Sequence, residues 1–165
     1  MKKFLMIFLV ISLCFFSLSG CREKGSIEEA INDSISNQEV DYELAESNDT
    51  VATQIIMREK VTYEIVDKSK KEVTLNVTAP NLYKVLEEIY LNESKFIFTQ
   101  ISDIEGLVLQ TLKNGDFEYV TKTVTVAYRS GEDGYELEMT DEYADAIHGG
   151  VLSFFKDYIM GDSAE

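Results

Sequence analysis

Two stretches of the sequence, 61–79 and 120–139, alternate apolar and polar residues with a period of two. In the first, Val61, Tyr63 and Ile65 alternate with Thr62, Glu64 and Val66. After the polar connection Asp67-Lys68-Ser69-Lys70-Lys71, Val73, Leu75, Val77 and Ala79 alternate with Glu72, Thr74, Asn76 and Thr78. In the second, Val120, Lys122, Val124, Val126 and Tyr128 alternate with Thr121, Thr123, Thr125 and Ala127. The turn Ser130-Gly131-Glu132-Asp133-Gly134 follows, and then Tyr135, Leu137 and Met139 alternate with glutamates. This period predicts two antiparallel hairpins, each with one face buried and one wet. Pro80 has no N–H to give a ladder, so it stops the strand it follows.

The rest of the chain supplies helices to cover the dry face. Asn81 is placed to cap a segment in which Leu82, Val85, Leu86, Ile89 and Tyr90 share one face, with Lys84, Glu87 and Glu88 outward. Ser102-Asp103-Ile104-Glu105 has the form of a capping box, followed by an Ile104, Leu107, Val108, Leu112 stripe and a stop at Asn114-Gly115. Phe96, Ile97 and Phe98 are expected to pack beneath the connection between these two helices. Thr140 caps a closing helix that Gly149-Gly150 interrupts, after which Val151, Leu152, Phe154, Phe155, Tyr158 and Ile159 recur at helical spacing. Nearer the start, Ser26 to Glu29 is another capping box, and Ile27, Ile31 and Ile35 predict a short helix over 27–37. Residues 50–59 fit either an extension of the first strand or a helical turn. The predicted fold class is α+β, an antiparallel sheet of about four strands packed on helices.

Lys2 and Lys3 precede an apolar run, Phe4 to Leu18, too short for a bilayer span of about 20 residues. The run ends in Leu18-Ser19-Gly20-Cys21, which resembles the lipobox of bacterial lipoproteins. That resemblance implies cleavage between Gly20 and Cys21, lipidation (including palmitate) on Cys21, and a membrane partner reached through the anchor. The expected location is extracytoplasmic, lipid-anchored to the cell membrane. Cys21 would then be the sole thiol of the mature chain, because Cys14 leaves with the signal peptide. Arg22 rather than Asp after the cysteine gives no mark of retention at an inner membrane, and the lack of disulfides outside the cytoplasm together with the acidic composition favours a Gram-positive surface. The expected divisions are 1–20 signal peptide, 21–50 lipidated cysteine with an acidic tether, 51–160 folded domain and 161–165 tail.

Charge narrows the functional classes. The chain carries 15 basic against 30 acidic residues, a net charge of −15. Loss of Lys2 and Lys3 leaves 13 basic against 30 acidic, or −17. Nucleic acid is not expected as a partner, because phosphate binding needs clustered cations. One His, two Cys and no Trp leave few parts for metal or redox chemistry, and no cofactor is expected.

Three stretches together carry a family resemblance: Lys60-Val-Thr-Tyr-Glu-Ile65, Val73 through Pro80-Asn81-Leu82, and Val124 to Tyr128 leading to Ala146-Ile-His-Gly-Gly-Val-Leu152. They resemble small Gram-positive lipoproteins with a cystatin-like or NTF2-like domain, a family of unassigned function. The resemblance covers roughly 60–152 and implies a curved antiparallel sheet wrapped around helices. An aromatic residue, often Trp, sits in the last strand of that pattern; here Tyr135 takes the place. NTF2-like folds hold a cavity between sheet and helices, in which Asp, His or Tyr act as acid–base groups in some members.

Two constellations fit that implication. Asp141, Asp145 and His148 fall at i, i+4 and i+7 of the predicted closing helix, a spacing suited to a metal ion or an acid–base pair. The bland alternative is that acids in a first turn and a histidine near the other end complement the helix dipole. Tyr63, Tyr119, Tyr128 and Tyr135 lie on the predicted strands and are candidates to line a ligand cavity, or else to rim a core with wet hydroxyls. The Gly131–Gly134 turn lacks the ligand spacing of a calcium loop. Neither a Ser-His-Asp set nor a phosphate-cradling glycine loop is present. The sequence therefore points to a non-enzymatic surface lipoprotein whose domain binds or scaffolds an unknown protein or small molecule. Capture of a small solute is the alternative, and an enzyme using Tyr, Asp and His148 stands behind it. A homodimer through the open sheet face is compatible with such a fold.

Overall fold

The computed structural model describes residues 25–36, 48–92, 101–131 and 134–158. The described helices are α1 (Ile27–Ser36), α2 (Asp49–Lys60), α3 (Leu82–Asn92), α4 (Ile101–Asn114), α5 (Asp141–Ile147) and α6 (Val151–Tyr158). The strands are β1 (Thr62–Lys68), β2 (Glu72–Pro80), β3 (Tyr119–Gly131) and β4 (Gly134–Leu137), in one curved antiparallel sheet of order β1-β2-β3-β4. The protein is α+β, as the alternation predicts. The apolar run and lipobox, the acidic stretch 37–47, Phe96 to Phe98 and residues 159–165 lie outside the described residues.

Register gives the sheet its two faces. Val77 lies between Tyr63 and Lys122, and Leu75 between Ile65 and Val124. Residues directly opposite one another share a face, so this row points inward, and Val73, Leu75, Val77 and Ala79 are fully buried. The rows between point to solvent. β1 carries an irregularity between Ile65 and Asp67 and holds Val66 out, 55% exposed. Such a break twists an edge strand away from further pairing.

Over the inner face sits a core of Met57, Ala79, Leu82, Val85, Val108, Leu112 and Val151, drawn from α2, β2, α3, α4 and α6. Three of the helices begin where the preceding side chain takes a free N–H. Asn48 accepts from the Val51 N–H, Asn81 from that of Lys84 and Thr140 from that of Tyr143. Gly115, at φ +78°, ends α4.

Four expectations need correction or completion. The undecided segment 50–59 is helical. Asn48 caps it, Asp49 stands at its start and Arg58 and Lys60 at its end, each the sign the dipole favours. α4 begins at Ile101, so Ser102 is inside its first turn rather than before it. β4 stops at Leu137, short of Met139. Tyr90, placed on the apolar stripe of α3 by its spacing, is 41% exposed.

A smaller compact unit comprises α1, β4 and the last residues of β3 from Arg129. Within it, the Ser26 hydroxyl accepts from the Glu29 N–H while Glu29 accepts from the Ser26 N–H, the reciprocal capping box the sequence predicts. Ile27 and Ile31 are fully buried, Leu137 is buried, and Arg129 pairs with Glu136.

One residue of α2 is out of keeping with its place. Thr53 is buried, and its hydroxyl has no hydrogen-bond partner among the described residues. Replacing an unsatisfied buried hydroxyl by a methyl of the same shape removes a desolvation cost. Thr53→Val is expected to raise stability by about 1 kcal/mol, read as a higher urea midpoint at unchanged slope.

Candidate functional site

The polar groups nearest the core gather where α5 meets α6. Lys122 occupies an inward position of β3, in the row that otherwise holds Val120, Val124 and Val126. An ammonium pointing at a core requires a partner. Asp145 of α5 supplies it, with Lys122 Nζ 2.6 Å from Asp145 Oδ2. The same carboxylate accepts from Ser153 Oγ at 2.6 Å and, through Oδ1, from the Ser153 N–H at 3.0 Å. Ser153 is the third residue of α6, and that helix starts directly after Gly149-Gly150, which offer no capping side chain. Asp145 therefore caps α6 from the preceding helix. Burial pushes its carboxyl upward, but the bonds from Lys122 and Ser153 outweigh this and hold it below the ordinary 3.8.

The glycine pair makes the other half of the junction. Gly149 has φ +63° and Gly150 φ +88°. The Gly149 carbonyl accepts from the Tyr83 N–H at 3.0 Å, and the Gly150 N–H donates to the Asp145 carbonyl at 2.8 Å. The backbones approach so closely that a Cβ on Gly149 would sit 1.9 Å from the Pro80 carbonyl oxygen. The turn after β2 is thereby tied to the turn between α5 and α6.

His148 is the C-cap of α5, at φ −99° and ψ 17°, and is half-buried, with its Nε2 shut off from solvent. Burial, and then the nearby Arg58 charge, push its pKa from 6.5 down to about 4, with Asp145 pulling weakly the other way. The i, i+4, i+7 set is not brought to one point. Asp141 lies on the surface 3.8 Å from Lys156, Asp145 is held by Lys122 and Ser153, and His148 stands at the C-cap, past the end of α5. Among the described residues no three His, Cys, Asp or Glu side chains are grouped to hold a metal ion.

The four strand tyrosines do not converge either. Tyr63 and Tyr128 fall on inward rows, whereas Tyr119, opposite Pro80, belongs to the outer rows and is 53% exposed. The Tyr128 hydroxyl donates to the Ser69 carbonyl at 2.6 Å, which closes the β1–β2 turn. Tyr135 lies on β4, in the smaller unit.

Two features escaped the sequence reading. On α3 and α6, Tyr83, Tyr90, Phe154 and Tyr158 form an aromatic cluster with centroids 5.0–6.3 Å apart. The Tyr83 hydroxyl donates to Asp157 at 2.9 Å and that of Tyr158 to Glu87. Tyr83 is pushed up to about 12, first by that hydrogen bond and then by burial and the Asp157 charge. The second is the solvent face of the sheet. Thr74 bonds Thr125 at 3.0 Å, Thr78 bonds Thr121 at 2.7 Å, and Thr123 donates to Asn76 at 2.7 Å. Together these lay a hydroxyl-rich surface across the middle of β2 and β3, with Glu64 of β1 opposite Asn76 beside it.

No protein-family model matches this sequence, and no curated protein matches it. Among solved structures, a candidate lipoprotein of Bacillus subtilis (ycdA) is similar at 16% identity and a TM-score of 0.33. The match covers 73% of this chain and 44% of that one, so this chain spans less than half of that protein's length. A likeness at that score carries no structural argument. Among the described residues, no helix is long and apolar enough to cross a membrane.

Proposed function

We propose that this chain is a lipid-anchored extracytoplasmic protein whose α+β domain, of cystatin-like or NTF2-like type, binds or scaffolds a partner rather than catalysing a reaction. The solvent face of the sheet carries this reading. Among the described residues its threonine hydroxyls and the Asn76 amide are held in fixed rows by cross-strand bonds at an exposed surface. The groups whose chemistry would suit catalysis are used elsewhere, with Asp145 spent on Lys122 and on capping α6. Leu18 to Cys21 supports the anchor, and Cys21 is its point of attachment.

A photo-crosslinking residue tests the reading when placed at Asn76 in the full chain expressed in its source cells, with a second chain carrying it at the exposed Lys113 of α4. The expected result is a discrete adduct from Asn76 in the membrane fraction, absent from Lys113 and lost when Cys21→Ala releases the chain. Adducts from Lys113 alone, or an Asn76 adduct indifferent to the anchor, would overturn it.

A further inference from the structure

We propose that Asn114-Gly115, where α4 ends, is a site of intramolecular covalent modification: the Gly115 backbone nitrogen displaces ammonia from the Asn114 side chain, and water then leaves an acid in its place. This inference stands independently of the binding role proposed above.

The two residues and water supply every atom of the step. The Gly115 nitrogen gives up its proton to solvent and attacks Asn114 Cγ. A new N–C bond closes a five-membered imide as the bond from Cγ to the side-chain nitrogen breaks, and that nitrogen leaves as ammonia. Water then opens the ring at either carbonyl. One opening leaves aspartate, and the other leaves isoaspartate, in which the main chain runs through the former side chain. The net change is an amide replaced by a carboxylate, with no oxidant or reductant involved.

The structure opens this position to that attack. Asn114-Gly115 is the only Asn-Gly pair in the sequence, and glycine has no Cβ to block the approach to its nitrogen. Both residues are exposed, and nothing stands within 4 Å of the place a Cβ on Gly115 would take. Among the described residues the Asn114 amide makes no hydrogen bond, so it is free to turn toward the nitrogen. The nitrogen itself is lightly held. Its N–H reaches the Leu112 carbonyl at 3.4 Å, longer than an ordinary N–H···O bond, and the Asp116 N–H reaches the Thr111 carbonyl at 3.2 Å. These two bonds form the Schellman end of α4. Ring closure turns the backbone of the last helical residue and gives up only this pair, while Leu112 stays buried in the core.

Other asparagines are closed to the reaction. Asn48 and Asn81 spend their side-chain oxygens on helix caps, and that of Asn76 is held by Thr123. The residues that follow them, Asp49, Val77 and Leu82, all carry side chains that crowd the attacking nitrogen. At Asn114 the product places a carboxylate at the negative end of the α4 dipole, next to Asp116, so the exchange works against the helix end.

Incubation of the complete mature chain at neutral pH, followed by isoelectric focusing and peptide mapping by mass spectrometry, tests this. An acidic species is expected to accumulate with time, shifted by a single negative charge and mapping to Asn114 as a mixture of aspartate and isoaspartate. Helix ends open at little cost, so the folded chain should react within about tenfold of the rate of the chain unfolded in urea. Asn114→Gln is expected to remove the species, and Gly115→Ala to slow its appearance several-fold. No acidic species, one that maps to another asparagine, one undiminished in either variant, or one that forms only in urea would overturn the inference.

Discussion

Gly149→Ala is expected to abolish stable folding. Two costs add at this residue. The φ of +63° is a left-handed conformation that costs a residue with a Cβ about 1 kcal/mol or more. The new Cβ would also lie 1.9 Å from the Pro80 carbonyl oxygen and 3.0 Å from the Leu82 nitrogen. Those neighbours are backbone, pinned between the end of β2 and the start of α3, so neither can swing aside. Relief requires the α5–α6 turn to part from Pro80, which breaks the Tyr83 N–H bond and disturbs the buried Leu82 and Val151. A loss of at least about 4 kcal/mol is expected, most of a typical domain's stability. Gly115→Ala is the control. Its φ of +78° is similar, but nothing stands within 4 Å of the added methyl. It should cost only about 1 kcal/mol. Circular dichroism through urea titrations of both variants separates conformational strain from collision. Equal midpoints would mean that the close approach to Pro80 is absent in solution.

The contrast between those two glycines is a measure of what local sequence reveals. Gly149-Gly150 is visible as a break between helices, and so are the caps Ser26, Asn81 and Thr140, because each is decided within a few residues. β2 and β3 are legible for the same reason: a strict period of two permits one assignment of faces. The segment 49–60 is ambiguous because Ile55 and Ile56 are adjacent, while the positions actually buried are Thr53 and Met57. Its state is set by α4 and β2, against which it packs. Tyr119 was open to correction from sequence alone. If Val120 points inward, its neighbour must point out, and the four tyrosines cannot share a cavity. The acidic set on α5 could not be resolved that way. Helical spacing puts Asp141, Asp145 and His148 on one face, but the helix ends at Ile147 and a strand residue 23 positions earlier claims Asp145. The clue available was Lys122 itself, a lysine in an inward row that demands an acid from somewhere distant.

That acid is the second residue on which the fold hangs, and its removal has an expected signature. Asp145→Ala strips Lys122 of its partner, removes the hydroxyl partner of Ser153 and uncaps α6. Breaking a buried pair from one side costs about 3–5 kcal/mol, but Lys122 is one-third exposed and recovers some hydration, so about 2–4 kcal/mol is expected. Asp145→Asn keeps an oxygen for the Ser153 N–H and loses the charge, so it should cost less, about 1–2 kcal/mol. Lys122→Met removes the cation that Asp145 answers, and its effect should not add to that of Asp145→Ala. In the double variant the lysine is no longer stranded, and a coupling energy of about 1–2 kcal/mol is expected from the cycle. The three variants also separate the two roles of the carboxylate. If capping dominates, Asp145→Asn will be nearly as stable as the parent and Lys122→Met will be mild. If charge pairing dominates, both will be severe and the stability of the parent will fall as acid protonates Asp145 below its depressed pKa. Additive losses in the double variant would mean that the 2.6 Å contact between Lys122 and Asp145 contributes nothing in solution, and the junction would then rest on its glycines alone.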